Sequence, residues 1–336
     1  MMKTKMVTGL VSCALYLPLA QAGGLNITDA DLTLAGGVTA GVLYSDNTGG
    51  SNNTETTITD VLLELSAPAD KGLGFVAAYG SLPQNSIVSN VPAISTSSAS
   101  DMKLQYGYLT VKPTDAITVD VGVLGTKIGY EVANTYANAH VLLGAVWNAQ
   151  PVYYDGIRAS FAVGEGSMFV EANEDTATGA TTGYVIGGST KLGAADLSVA
   201  YYNANKARDI IDIILSSEIA GIPVAANIDF QKLDSEATTP GMDDNAIGIA
   251  LYATPKVGAY TVPLRFEYLD DDSSGIYGGV KSGYTITVTP TYHYGKNAFV
   301  RAELALAASD NKIFTDKNSV AQDSKTSAAL QAGFTF

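Results

Sequence analysis

Eleven residues, Tyr284 to Tyr294, sort their side chains onto two unlike faces. Tyr284, Ile286, Val288, Pro290, Tyr292 and Tyr294 fall on one side; Thr285, Thr287, Thr289, Thr291 and His293 fall on the other. A two-residue period marks an extended strand, because successive side chains of a strand point to opposite faces. The apolar face is aliphatic in the middle and aromatic at both ends, with hydroxyls behind it. That is what a strand with lipid on one side and water on the other requires. Pro290 cannot donate to a ladder, so a bulge or local irregularity is expected there.

Such a strand cannot stand alone in lipid, which offers no partner for an open row of backbone N–H and C=O groups. It has to belong to a closed barrel. Beyond the first 22 residues no apolar run reaches the roughly 18 residues of a spanning helix, so strands are the only spanning device. Composition suits this reading: 46% of the 336 residues are hydrophobic and only 15% charged, with 34 glycines and 19 tyrosines. A soluble β-sandwich could share that composition, but it has no reason to place tyrosines at both ends of a strand.

The first residues read as an export leader. Lys3 and Lys5 precede an apolar run from Met6 to Ala20, and Ala20-Gln21-Ala22 supplies small residues flanking a cleavage point after Ala22. Leu10-Val11-Ser12-Cys13 superficially resembles a lipoprotein box, but it would leave too short an apolar run before the cysteine. Residues 23–336 are then a single barrel domain. Cleavage removes Cys13, the only cysteine, so the mature chain can form neither a disulfide nor a thiolate metal site. It also leaves 17 basic against 33 acidic residues, a net charge of −16, which disfavours nucleic acid as a partner.

With Tyr284–Tyr294 as template, alternation predicts strands at 32–44, 57–67, 73–80, 102–112, 116–124, 150–161, 167–174, 182–192, 196–205, 245–254, 260–269, 284–294, 297–308 and 326–336. Fourteen is an even number, as bacterial barrels require. The connections alternate in length. Short ones such as Lys112-Pro113-Thr114-Asp115 and Gly164-Glu165-Gly166 carry turn chemistry, and long polar ones lie between them. Short turns at one rim and long loops at the other are an outer-membrane pattern. The stretch Lys206–Asp244 leaves sixteen strands open: Ile211, Ile213 and Leu215, then Val224, Ala226, Ile228 and Phe230, also alternate. An extracellular hairpin or short helix is preferred there, because the first of the two segments is short.

Around residue 120 the pattern breaks in an informative way. Ile117, Val119, Val121 and Val123 alternate with Thr118, Asp120 and Gly122; the period then vanishes from Gly125 to Asn148 and returns with Ile157, Ala159 and Phe161. Asp120 and Arg158 point away from the apolar face, into the polar interior. The intervening segment holds Lys127, Glu131 and His140 among Leu142, Leu143, Val146 and Trp147. A loop in water has little use for that apolar content, so it is expected to fold into the lumen and narrow it, with Lys127 and Glu131 as the constriction's charges. The plainer reading is a cap over the outer mouth.

Two stretches here, Asp120-Val121-Gly122 through Gly125-Thr126-Lys127-Ile128-Gly129-Tyr130-Glu131 and Pro151-Val152-Tyr153-Tyr154-Asp155-Gly156-Ile157-Arg158-Ala159-Ser160-Phe161, resemble the OmpL-like putative β-barrel porin family. In that family a strand ending in Gly-Lys, then Thr-x-x-Gly-x-Glu, leads through an inserted loop to Pro and Gly-x-Arg. The resemblance implies an outer-membrane pore for small solutes or ions, and is consistent with a homotrimer. One departure stands out: Val123 occupies the place where the family carries lysine, and alternation turns it to lipid. An anion preference therefore cannot be carried over.

The same alternation sends Glu64, Lys103, Asp120, Arg158, Glu171, Arg265, Glu267, Arg301 and Glu303 into the lumen. On the lipid face an Arg or Lys would cost about 2–4 kcal/mol at the midplane. Inside, these charges are either a selectivity ring or salt-bridged wall residues. The closing residues, ending in Phe334 and Phe336, look like the strand that outer-membrane assembly machinery recognises. Neither His140 nor His293 has a catalytic setting, so no reaction and no cofactor are expected. Asp270-Asp271-Asp272-Ser273-Ser274-Gly275 echoes a calcium loop, but Lys281 stands where the closing glutamate belongs, so a solvated loop tip is the preferred reading.

Overall fold

The long strands, from Thr33–Ser45 to Ser324–Thr335, form a closed antiparallel barrel in which the first and the last pair with each other. The computed structural model describes residues 25–26, 31–49, 54–70, 72–88, 102–174, 182–238, 241, 243–271 and 274–336. The expected leader, residues 1–22, lies outside them.

Among the described residues, sixteen strands make the wall. They are β1 Thr33–Ser45, β2 Thr54–Ala67, β3 Leu73–Ser81, β4 Lys103–Thr114, β5 Ile117–Gly125, β6 Tyr153–Val163, β7 Gly166–Glu174 and β8 Gly183–Leu192. Then come β9 Ala195–Ala204, β10 Arg208–Ile219, β11 Ile222–Leu233, β12 Asn245–Ala253, β13 Leu264–Asp270 preceded by Tyr260–Thr261, β14 Ser282–Val288 continued by Thr291–Tyr294, β15 Ala298–Ser309 and β16 Ser324–Thr335. Strand β16 closes on β1 from Gly37 opposite Thr335 to Ser45 opposite Ser327. Phe336 adds two backbone hydrogen bonds with Gly36, at 2.9 and 3.0 Å. Among the described residues, helix is limited to two single 3-10 turns, Thr135–Ala137 and Trp147–Ala149.

The count is sixteen, not the fourteen preferred from sequence, because Lys206–Asp244 holds β10 and β11. Their register runs from Arg208 opposite Leu233 to Ile219 opposite Ile222. The turn between them is Ala220-Gly221, with φ of +52° and +79°. This is the left-handed pair a two-residue hairpin needs, supplied by an alanine where asparagine or glycine is usual. The apolar residues noted in that stretch form the outward face, while Ile210, Asp212, Ile214, Asn227, Asp229 and Gln231 are buried inside.

Elsewhere alternation and observation agree. Val121, Ile157, Leu304 and Leu330 are exposed on the outer surface, and Arg265, Glu267, Arg301 and Glu303 are buried within. At Pro290 the ladder is interrupted without a bulge: Val288 pairs with Leu304 and Thr291 with Arg301, an unshifted register. Val123 pairs with Gly107 and Asp155 on the outer side. Strand β2 does bulge, between the Thr39–Asp60 and Ala40–Ile58 pairs, and both Thr59 and Asp60 turn inward.

Replacing Ile213 or its cross-strand partner Ile228 with arginine, mid-strand on the outer face, should cost about 2–4 kcal/mol in urea unfolding from lipid vesicles. A cost near zero would take this hairpin out of the wall.

Candidate functional site

Residues 126–152, joining β5 to β6, turn back into the barrel. Irregular backbone enclosed there carries N–H and C=O groups that need partners, and charged wall side chains supply them. Glu303 on β15 accepts from Val141 N at 2.6 Å, Leu142 N at 2.9 Å and the Thr289 hydroxyl at 2.8 Å. Glu267 on β13 accepts from Ala145 N at 3.0 Å and Val146 N at 2.9 Å. Asp60 accepts from Thr135 N at 2.9 Å and from the Thr135 hydroxyl. Asp212 on β10 accepts from Gly129 N at 3.1 Å.

Guanidinium groups take the carbonyls. Arg301 donates to Asn138 O at 2.8 Å and Thr135 O at 3.0 Å, and Arg158 to Gly125 O at 2.6 Å. Arg265 donates to Leu142 O at 2.9 Å and pairs with Glu131 at 2.6 Å. Glu131 in turn accepts from Gly144 N at 2.6 Å. Gly144 sits between two carboxylates; a Cβ there would strike Glu267 and crowd Glu131. Only glycine brings the backbone that close.

Apolar side chains of the segment reach three sectors of the wall. Ile128 packs with Phe169, Val185, Tyr202 and Ile210. Leu142, Ala145 and Val146 pack with Ala250, Leu269, Ala305 and Ala307. Leu143 and Trp147, the only tryptophan of the chain, pack with Leu62 and Ala78. Of the two sequence readings, interior constriction or outer cap, the structure has the first.

The sequence-derived lumen residues separate into two groups. Arg158, Glu171, Arg265, Glu267, Arg301, Glu303 and Glu131 are buried and bonded to the segment or to each other, Arg158 to Glu171 at 2.6 Å. Glu64, Asp120 and Lys127 are half-buried, and Lys103 is exposed. Glu64 accepts from the Tyr106 hydroxyl, and Asp120 from Thr110 at 2.7 Å. Tyr108, Thr110, Thr118 and Ser160 are also half-exposed, whereas Tyr106 packs against the cluster of Leu143 and Trp147.

His140 is buried, with Nδ1 2.7 Å from the Thr289 hydroxyl and 3.8 Å from Glu303. Burial first, then Arg265 and Arg301, pushes its imidazole well below the usual value. It is neutral at pH 7, so the Glu303 contact is not an ion pair. His293 lies at the short-turn rim, 3.3 Å from the Thr261 hydroxyl.

Two inward loops were missed. Residues 82–88 dip into the lumen: Ile87 N donates to Leu143 O at 3.0 Å and Leu143 N to Asn85 O at 2.9 Å. Leu82 and Ile87, isolated apolar residues in a polar stretch, were the available signal. Asp271 is likewise not at a solvated tip. It is buried and accepts from Ile276 N at 3.1 Å, Tyr277 N at 3.0 Å and Gly279 N at 3.3 Å, organising its own loop. Asp272 and Ser273 lie outside the described residues, and among the described ones no group of three metal-ligating side chains occurs.

The chain matches the family described as Putative beta-barrel porin-2, OmpL-like, over residues 31–336. It belongs to that family. No curated protein matches it. Among solved structures it is similar to the outer membrane channel DcaP of Acinetobacter baumannii, at 11% identity and TM-score 0.66, covering 94% of this chain and 100% of that one. In-vitro folded OmpT, an outer membrane protein of Vibrio cholerae, is 12% identical with TM-score 0.61, covering 92% of this chain and 99% of that one. A Rh. blastica porin mutant is 15% identical with TM-score 0.55, covering 91% and 100%. The family and the shared fold make this chain an integral outer-membrane barrel of the porin type.

Glu303→Ala strips two segment N–H groups of their acceptor, at about 1–3 kcal/mol for each buried group left unpaired. The variant should red-shift Trp147 emission and open Trp147 to acrylamide quenching, while Asp120→Asn should leave both unchanged. Identical spectra for all three proteins would show that Glu303 does not hold the segment.

Proposed function

We propose that the chain is a passive diffusion channel for small hydrophilic solutes or ions, with no chemical reaction. One observation carries the reading: the inward side chains of β10 to β16 are mostly buried, whereas Tyr108, Thr110, Thr118, Asp120 and Ser160 on β4 to β6, and Glu64 on β2, stay half-exposed. Sixteen strands enclose an interior wide enough for water, and the segment reduces it to a passage along that polar strip. Lys127 stands beside this strip as a constriction charge, whereas Glu131 acts through Arg265 to position the segment. Export removes the leader after Ala22. The terminal strand ending in Phe336 serves the assembly machinery, outer-membrane lipid surrounds the apolar band, and three copies associate as a homotrimer.

Purified protein added to a planar lipid bilayer should produce stepwise conductance increments. Silence at all voltages would instead support a closed barrel acting through its long loops in adhesion or as a structural element.

A further inference from the structure

We propose that the passage favours cations over anions, and that Glu64 and Asp120 are its selectivity residues; this rests on the pore reading above. The buried guanidinium groups of the wall are already engaged. Arg158 is held by Glu171 and Gly125 O, Arg265 by Glu131 and Leu142 O, and Arg301 by Thr135 O, Asn138 O and Gln331. All three are buried, and the fourth arginine, half-buried Arg208, lies at the long-loop end of β10 and donates to Gln231 at 3.0 Å. Toward the short-turn rim, Lys112 lies 3.9 Å from Asp115 and Lys191 3.9 Å from Asp196.

Glu64 on β2 and Asp120 on β5 are differently placed. Glu64 and Asp120 are half-buried and take hydroxyl donors from the wall itself, Tyr106 and Thr110. Those donors fix each carboxylate without cancelling its charge. The ring of Tyr106 stacks on Tyr153 at 5.4 Å and packs against the Leu143 and Trp147 cluster, which holds the donor of Glu64 in place.

The two mouths differ as well. Apart from residues 126–152, which turn inside, the connections at the long-loop rim carry twelve carboxylates against four lysines, a net of −8, while those at the short-turn rim carry three of each. Lys103 and Lys127 stand at the long-loop end, inside that excess. A mouth of one sign concentrates counter-ions before they reach the narrow part, and low ionic strength strengthens the effect.

Reversal potentials in a KCl gradient across a planar bilayer test this. The native channel should show a reversal potential of cation sign, larger in dilute than in concentrated KCl. Glu64→Gln with Asp120→Asn should shift it toward zero while stepwise conductance persists, which also shows that the variant folds. A native reversal potential at zero or of anion sign overturns the inference, and an unshifted double variant overturns the assignment to these two residues. Absence of conductance from the native protein would overturn the pore reading itself, and this inference with it.

Discussion

Backbone enclosed in a barrel has to find hydrogen-bond partners, and in this molecule it finds them on charged side chains of the wall. Glu303 and Glu267 each accept two consecutive N–H groups of the inserted segment, and Arg301 donates to two of its carbonyls. A charged partner makes such a bond stronger than a neutral one. The spatial order of these groups around the wall therefore dictates the path of the segment. That path determines which part of the lumen is filled and which stays wet.

This arrangement gives the lumen charges a role that alternation cannot assign. Alternation places Arg265, Glu267, Arg301 and Glu303 inside, and inside is where they are. It does not say whether they face water or protein, because that depends on where residues 126–152 go. In the structure they face protein. The selectivity ring and the salt-bridged wall are thus both incomplete descriptions: most of these charges anchor main chain, while Glu64, Asp120 and Lys127 stay half-exposed and Lys103 exposed.

Much of the fold was legible because lipid enforces a strict rule on one face of each strand. The period from Tyr284 to Tyr294 survives even Pro290, with no change of register. The hairpin of β10 and β11 escaped because its turn, Ala220-Gly221, lacks the usual Asn-Gly or Asp-Gly signal, although its outward residues had the right spacing. The inward course of residues 126–152 could be read from apolar residues with no reason to be in water. The course of 82–88 could not, since two scattered apolar side chains do not outweigh a polar loop. Asp271 misled for a different reason: a run of aspartates reads as a solvated tip, yet this carboxylate is buried where it caps its own turn.

The account depends on residues 126–152 occupying the lumen and limiting the passage. Deleting Ile128–Val146 and comparing single-channel conductance with the intact protein measures this most directly. The deletion should raise conductance, because the space taken by the segment becomes open to ions. Conductance equal to that of the intact protein would contradict the account, since it would place the segment outside the narrowest part of the channel.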